Sequence, residues 1–232
     1  MCILERLHRL RRAAMPGRYT DANPFRIVTI DPDRLTRSVL ESAPKWPQWG
    51  RVEGGDWDRQ WDPFNERAVP RGIRQHFVEG VPWRETALFE AYCEQLERFG
   101  NAWGHRSIDE FETRCRAIER LYESIRTRGY TRRSAAVATG TRESIATRTN
   151  EINVDIARDG ALYWRGYGQH RLAIAKLLEL DSVPVLLHRR HGAWQRRRDR
   201  LRERSSEQRR PAEETTHPDL EDLLAPSEGA SR

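Results

Sequence analysis

The fold of this chain is decided by residues 164–185, Trp164-Arg-Gly-Tyr-Gly-Gln-His-Arg-Leu-Ala-Ile-Ala-Lys-Leu-Leu-Glu-Leu-Asp-Ser-Val-Pro-Val185. The pattern predicts a strand, a Gly-rich turn, a helix and a second strand, an order typical of α/β proteins. Backbone N–H groups, the positive end of the helix dipole and an arginine would converge at the start of that helix, which favours a phosphate group. The predicted phosphate-binding residues are Gly166, Gly168, Gln169, His170 and Arg171.

Carboxylates precede this turn on a predicted strand, residues 151–156. Glu151, Asn153 and Asp155 alternate along it and therefore share one face. Phosphoryl transfer would need a base and a metal ligand near the phosphate. The candidate catalytic residues are His170, Glu151 and Asp155. His170 could donate to a phosphoryl oxygen or carry a proton, and a purely structural role at the turn is the alternative.

Elements elsewhere follow from periodicity and from capping signals. Residues 25–30 and 183–187 predict strands, residues 33–40 a short helix, and residues 66–80 and 84–99 longer helices. Ser107 with Glu110 forms a capping-box pattern that starts another helix, which we expect to end at Gly129. The polar stretch 131–150 is expected to be mobile, and the return strand 161–164 follows a tight turn at 158–160.

Tryptophan marks residues 44–64, which predict an ordered but irregular loop pinned by aromatic packing. The packing residues are Trp46, Trp49, Trp57 and Trp61. Asp56 and Asp58 could instead face a ligand or a magnesium ion beside the phosphate turn, because two carboxylates suit a hard cation. Packing and ligand contact both stay open for this loop.

Both ends of the chain differ from its centre. Residues 1–24 begin with an amphipathic segment whose Ile3, Leu4, Leu7 and Leu10 share one helical face. We expect that face to dock on the domain, with a peripheral membrane contact as the alternative. Residues 195–232 are highly charged and poor in aromatic side chains, so we expect a disordered tail, although its first part could extend a solvated helix.

The bulk composition limits the class of protein. The formal net charge is +6, and since Lys45 and Lys176 are the two lysines among 41 basic residues, 39 are arginines. This balance permits binding to nucleotides or nucleic acids. Three cysteines without a CxxC motif favour neither a disulfide framework nor a zinc ribbon. The sequence predicts no transmembrane segment, and we expect a cytoplasmic protein. The oligomeric state stays open.

Basic residues follow the closing strand. Arg189, Arg190 and His191 are expected to form a basic rim or a second wall of an anionic pocket. His188 and His191 could join His170 in a three-histidine metal site, but neighbouring arginines would repel a cation. No metal site is therefore assigned there.

The turn and its context resemble the ParB/sulfiredoxin superfamily, including the ParB-like nuclease domains. The resemblance rests on three motifs, Gly168-Gln-His-Arg171-Leu-Ala-Ile-Ala175, Leu121-Tyr-Glu-Ser-Ile-Arg-Thr-Arg-Gly129 and Ile27-Val-Thr-Ile-Asp-Pro32. It implies a stand-alone α/β (α+β) domain over residues 25–194, a small mixed sheet with flanking helices. The signature unit would span 107–190, and a Trp-rich helical insertion would lie at about 41–106.

Departures from the superfamily pattern narrow the implied activity. Sulfiredoxins carry a cysteine where Gln169 stands, and the free-serine kinases carry an aspartate where Tyr167 stands. Partition proteins have Gly-Glu-Arg-Arg and a following helix-turn-helix domain, whereas only a charged tail follows here. The leading hypothesis is thus binding of a nucleotide (ATP, ADP or CTP, with magnesium) or another phosphorylated small molecule, with phosphoryl transfer or hydrolysis as a further step. The alternatives are a nucleic-acid-binding or nuclease protein and a non-enzymatic adaptor for a protein partner.

Overall fold

A mixed seven-stranded sheet runs through the part of the chain that the computed structural model describes, residues 3–40, 49–130, 150–203 and 217–224. The α/β class predicted from the sequence is confirmed at this level. Some predictions fall outside the described residues. They concern the start of the Trp-rich loop with Trp46, the polar stretch 131–149, and the tail at 204–216 and 225–232.

The strands are β1 (Ile27–Ile30), β2 (Arg37–Val39), β3 (Arg51–Glu53), β4 (Trp61–Pro63), β5 (Ile152–Ile156), β6 (Leu162–Trp164) and β7 (Val183–His191). Their order in the sheet is β1-β7-β5-β6-β2-β4, and β3 pairs with the second half of β7. The pairs β5–β7, β2–β6 and β3–β7 are parallel, whereas β1–β7, β5–β6 and β2–β4 are antiparallel. Since β5 and β7 lie at the centre and are buried throughout, the sheet is built around them.

The helices among the described residues are α1 (Ile3–Ala14), α2 (Ala68–Phe77), α3 (Ala87–Phe99), α4 (Ile108–Arg128), α5 (Gln169–Leu177), α6 (Gly192–Glu203) and α7 (Glu221–Leu224). Helix α5 packs on α2, α4 and β5, so it lies in the middle of the helical layer. One apolar core joins the sheet to these helices and includes Leu88, Phe111, Ile152, Leu172 and Val185. No helix in the described ranges is long and apolar enough to cross a membrane.

Local sequence signals explain where α4 begins and ends. The Ser107 hydroxyl accepts a hydrogen bond from the Glu110 N–H at 3.3 Å, and the Glu110 carboxylate accepts one from the Arg106 N–H. These contacts cap N–H groups that lack an intrahelical partner. Gly129, at φ 73°, ends the helix. The Ser107 cap predicted from the sequence is confirmed, whereas the Glu110 carboxylate binds the Arg106 N–H in place of the Ser107 N–H that would complete a capping box.

Two predictions in the N-terminal half are wrong. Residues 33–40 form a single 3₁₀ turn (Pro32–Arg34) and the strand β2 rather than a helix. The Trp-rich stretch supplies strands β3 and β4, so it is part of the sheet and not only a helical insertion. A strand of three residues is too short to be recognised by its pattern, because two or three positions fit the two-residue period of a strand and the 3.6-residue period of a helix equally well.

The C-terminal tail is ordered where the structure describes it, which corrects the prediction of disorder for those parts. Helix α6 buries Trp194, Arg198 and Leu201, and residues 217–224 pack back with Leu220 fully buried. Arg198 and Asp219 are each paired inside the protein, while other charged side chains of α6, such as Arg196 and Arg200, are exposed. Composition alone could not show this, because the same charged residue types form buried ion pairs and exposed charges.

Candidate anion-binding cleft

Helix α5 begins at a glycine pressed against the central sheet. Gly168 has φ 76°, and a Cβ there would lie 2.8 Å from the Ile152 Cα and 3.1 Å from its nitrogen. A side chain would therefore be excluded both by the backbone angle and by the strand. Gly168 supplies no side-chain cap, so the first N–H groups of α5, at Gln169, His170 and Arg171, point outward without an intrahelical acceptor.

An open cleft of about 980 Å³ lies in front of this helix start. One wall is the turn and first residues of α5, from Tyr167 to Arg171, and the other is α4. The lining residues from α4 are Arg114, Ala117, Ile118, Leu121, Ser124 and Arg128. The charged residues that line the cleft, within the described part of the chain, are Arg114, Arg128 and Arg171, and all are cationic.

Arg114 is the cleft arginine whose buried positive charge is least compensated by neighbouring groups. Its guanidinium lies 3.3 Å from His170 Nε2 and 3.4 Å from His105 Nε2, and its Nε is buried without a hydrogen-bond partner. Burial lowers the pKa of Arg114, but a guanidinium stays charged in proteins. No carboxylate pairs with it among the residues described in the structure. Arg114 is thus a half-buried positive charge that faces a cleft.

His170 lies between this cation and the helix start. Burial, together with the positive charges of Arg114 and Arg171, lowers its pKa to about 3. The imidazole is therefore neutral near pH 7 and offers one donor and one acceptor. A neutral histidine can hydrogen-bond a phosphate oxygen, but it adds no charge to the site.

Arg171 is largely committed to a structural contact. Its guanidinium lies 2.8 Å from Glu151 Oε2 and 3.1 Å from the Tyr130 hydroxyl, and it also binds the Asn150 carbonyl. Glu151 is buried by these contacts. The arginine still lines the cleft, with about 16% of its side chain exposed. Arg171, the predicted phosphate contact, therefore pairs with a carboxylate and also borders an open pocket.

Asp155 lies away from the cleft, at the other end of β5. It is fully buried, 2.8 Å from Arg165 NH1, 2.9 Å from Arg189 Nε and 3.4 Å from His188 Nδ1. Burial raises its pKa, but His188, Arg189 and Arg165 outweigh this and hold it below the usual value. Its surroundings are those of a structural ion cluster. Of the three candidate catalytic residues, His170 lines the cleft, Glu151 is buried behind Arg171, and Asp155 lies away from it.

Asp56 and Asp58 also lie away from the predicted position beside the phosphate turn. Both bind Arg158, which follows the C-terminal end of β5, whereas Gly168 packs on the first residue of that strand. The Asp58 carboxylate accepts bonds from the Arg158 backbone and side chain at 2.9 Å, and these contacts outweigh burial and lower its pKa to about 2. In this structure the two aspartates pair with Arg158.

The expected basic rim is not exposed. Arg189 and Arg190 are about 1% exposed and His191 about 6%. Arg189 pairs with Asp155 and lies 3.9 Å from the Trp57 ring, Arg190 pairs with Asp219, and His191 Nε2 lies 2.9 Å from the Gly55 carbonyl oxygen. They face inward because β7 continues to His191, four residues past its predicted end, between β5 and β3.

Metal ligands do not come together in this site. His170 faces Arg114, while His188 lies beside Asp155 and His191 beside Gly55. Within the described ranges, no group of three His, Cys, Asp or Glu residues could hold a metal ion. The described residues thus bring together no ligand set that would by itself hold a resident metal ion.

Arg114 is the site residue that sequence reasoning missed. It lies three residues after Phe111 and four before Ile118, so it interrupts the apolar stripe of α4. A charged side chain inside an apolar stripe was the signal that could have found it. No family model, curated protein or solved structure matches this chain, so the site is interpreted from its geometry.

Proposed function

We propose that the cleft between α4 and α5 binds a phosphate-bearing small molecule, with a nucleotide as the favoured class. The observation that carries this proposal is Arg114, a half-buried cation that lacks a carboxylate within the described structure and faces the N-terminus of α5. An anion placed between them would meet outward-pointing N–H groups, the helix dipole and a guanidinium.

The two walls of the cleft suit the two parts of such a ligand. The phosphate end would contact Arg114, His170 and the turn, while Ala117, Ile118 and Leu121 give α4 an apolar surface for a base or another ring. A volume of about 980 Å³ lies at the upper end of the usual range for small-molecule sites. The cleft can therefore admit more than a free phosphate ion.

Binding is proposed without an assigned reaction. Phosphoryl transfer needs a group that orients the nucleophile and commonly a metal that neutralises charge. Glu151 is held by Arg171 and Tyr130, and no group of three metal ligands gathers among the described residues. His170, neutral near pH 7, could accept a proton only weakly because its pKa is lowered to about 3.

The alternatives have less support. Contact with nucleic-acid backbone phosphates was expected to use Arg171, Arg189 and Arg190. Arg171 lines the cleft, but Arg189 and Arg190 are buried in ion pairs. An adaptor role for the Trp-rich loop needs exposed aromatic surface. Trp57 packs between Arg189 and Tyr163, and Trp61, about 39% exposed, has the Arg37 guanidinium 4.5 Å from its ring. Binding of a small molecule in the cleft does not require these buried side chains to become exposed.

A thermal-shift screen tests the proposal. The probes are ATP, ADP, CTP, GTP and inorganic phosphate, each with and without magnesium, on the wild-type protein, Arg114→Gln and Arg116→Gln. Arg116 is exposed on the same helix, so its substitution matches the change in charge without touching the cleft. A ligand at 100 times its Kd adds about 2.7 kcal/mol to the free energy of unfolding and raises Tm.

We expect a shift with at least one nucleotide, kept in Arg116→Gln and lost in Arg114→Gln. Absence of a shift with every probe, for a protein that melts cooperatively, would contradict the proposal. An equal shift in both variants would place binding outside the cleft. Loss of the shift in both would show a response to overall charge only.

A further inference from the structure

Helix α1 turns its apolar side away from the protein. Leu10 is about 67% exposed and Leu7 about 38%, whereas His8, between them in sequence, is buried. Leu7 and Leu10 are three residues apart and Ala14 follows four later, so these side chains form one exposed strip. The sequence predicted docking of the face formed by Ile3, Leu4, Leu7 and Leu10. For Leu7 and Leu10 this is corrected, since α1 docks through His8, while the side chains of Ile3 and Leu4 lie outside the described residues.

His8 fixes this orientation of the helix. Its Nε2 lies 3.0 Å from the Thr20 carbonyl oxygen, and its ring meets Tyr19 edge-on. The ring is also seated on Gly50, where a Cβ would lie 2.6 Å from His8 Cε1. Turning the leucines inward would break these contacts and expose the histidine, so their exposure is a property of the fold.

Arginines border the strip on both sides. Arg6 lies one turn before Leu10, and Arg11 lies one turn after Leu7, and both are exposed. Arg9 and Arg12 are exposed as well, and both line the cleft between α1 and α6. Scattered exposed leucines are ordinary in proteins. Here Leu7 and Leu10 lie together between arginines, on a helix whose opposite side is held to the protein by His8.

Independently of the proposed function of the cleft, we propose that α1 rests on an anionic lipid surface. The leucines would enter the boundary of the acyl chains while Arg6 and Arg11 reach the lipid phosphates, the arrangement of interfacial amphipathic helices. Charge complementarity favours this occupant. A second copy packed on the same strip across a two-fold axis would bring arginine against arginine. A nucleic acid would pair with the arginines but leave the leucines in water.

Sedimentation of the full chain with vesicles tests this proposal. One set contains phosphatidylglycerol and phosphatidylcholine in equal parts, and the other phosphatidylcholine alone. The variants are Leu10→Asp, the double substitution Arg6→Gln with Arg11→Gln, and Leu40→Asp as the matched control. Leu40 is an exposed leucine outside α1, about 50% accessible. Circular dichroism and thermal melting check that each variant folds.

We expect binding to the anionic vesicles only, weakened by added salt. Leu10→Asp and the double arginine variant should each bind roughly tenfold more weakly or worse, since both signals are needed for interfacial binding. Leu40→Asp should bind as the wild type does.

Three results would overturn the proposal. The first is no sedimentation with anionic vesicles, or equal sedimentation with neutral ones. The second is unchanged binding of Leu10→Asp. The third is a concentration-dependent dimer in sedimentation velocity that Leu10→Asp abolishes without any vesicle binding, which would assign the strip to a second copy.

Discussion

Two groups of arginines in this protein differ in what surrounds them. Arg190 of β7 and Arg198 of α6 are buried and compensated: Arg190 binds Asp219, and Arg198 binds Asp21 and Asp222. Arg114, on α4, is half-buried beside an open cleft and faces two histidines instead of carboxylates. The same residue type thus stabilises the fold in one region and leaves a positive charge available in the other.

The comparison shows how an arginine-rich composition should be interpreted. Bringing charges into the interior is costly, and it is tolerated where a carboxylate and hydrogen bonds compensate for the lost water. A half-buried guanidinium without such a partner is compensated only when an anion arrives. The lack of a carboxylate beside Arg114, among the residues that the structure describes, therefore supports the proposed function more than the number of arginines does.

The largest expected effect is on the buried group. Asp219→Ala removes the partner of Arg190 and of the Trp194 indole and leaves a buried charge unpaired. We expect a loss of about 3–5 kcal/mol in the free energy of unfolding, because breaking a buried pair leaves the desolvation cost uncompensated. Urea denaturation of the two proteins measures this loss.

An exposed pair gives the control for that substitution. Asp33 is about 78% exposed and lies 3.1 Å from Lys176 Nζ. Asp33→Asn should change the free energy of unfolding by less than about 1 kcal/mol, as surface ion pairs do. Similar losses for the two variants would erase the difference drawn between buried and exposed charges.

The next effect concerns the turn that forms the cleft wall. Gly168→Ala combines a positive φ with a contact against the Ile152 backbone, and we expect a loss of about 2–4 kcal/mol. Gly17→Ala, at φ 85° with open space around it, isolates the backbone cost, about 1–2 kcal/mol. Urea denaturation compares them, and equal losses would show that the close approach to β5 has no energetic weight.

The sequence predicted the elements whose signals are local. Gly168 and the start of α5, the Ser107 cap of α4 and the strand ending at Ile156 all follow from residue types at fixed spacings. Strand β2 could not be predicted this way, because its place depends on pairing with Tyr163 and Trp164, far along the chain.

The candidate site was predicted only in part for the same reason. Gly168, His170 and Arg171 are adjacent in sequence, so their meeting at the cleft could be foreseen. Arg114 lies 56 residues before His170 in the sequence and contacts it only because α4 packs on α5. Likewise, the sequence suggests that Arg189 and Arg190 are exposed, because their partners, Asp155 and Asp219, lie far from them along the chain.

Acid should affect His170 and the buried aspartates over different pH ranges. On the cleft side, His170 has a folded pKa of about 3, below its unfolded value of about 6.5. The unfolded state thus binds the proton first, and stability falls as pH drops from about 6.5 toward 3. On the buried side, Asp155 and Asp219 have lowered pKa values, so their contribution is lost only below about pH 4.

His170→Asn separates these two ranges. The variant should show a shallower fall in stability between pH 6.5 and pH 4, by at most about 1.4 kcal/mol per pH unit, and the same loss as the wild type at lower pH. Urea denaturation at a series of pH values measures both parts. An unchanged slope above pH 4 would mean that His170 is not held neutral by its surroundings.

The most direct test of the central claim is isothermal titration calorimetry of the wild type, Arg114→Gln and Arg116→Gln with the nucleotide that gives the largest thermal shift. A charge-assisted contact with phosphate contributes about 1.5–3 kcal/mol, so Arg114→Gln should bind roughly 10- to 150-fold more weakly. Arg116→Gln should bind as the wild type does. Equal affinity of all three proteins would contradict the assignment of Arg114 as the anion-binding arginine.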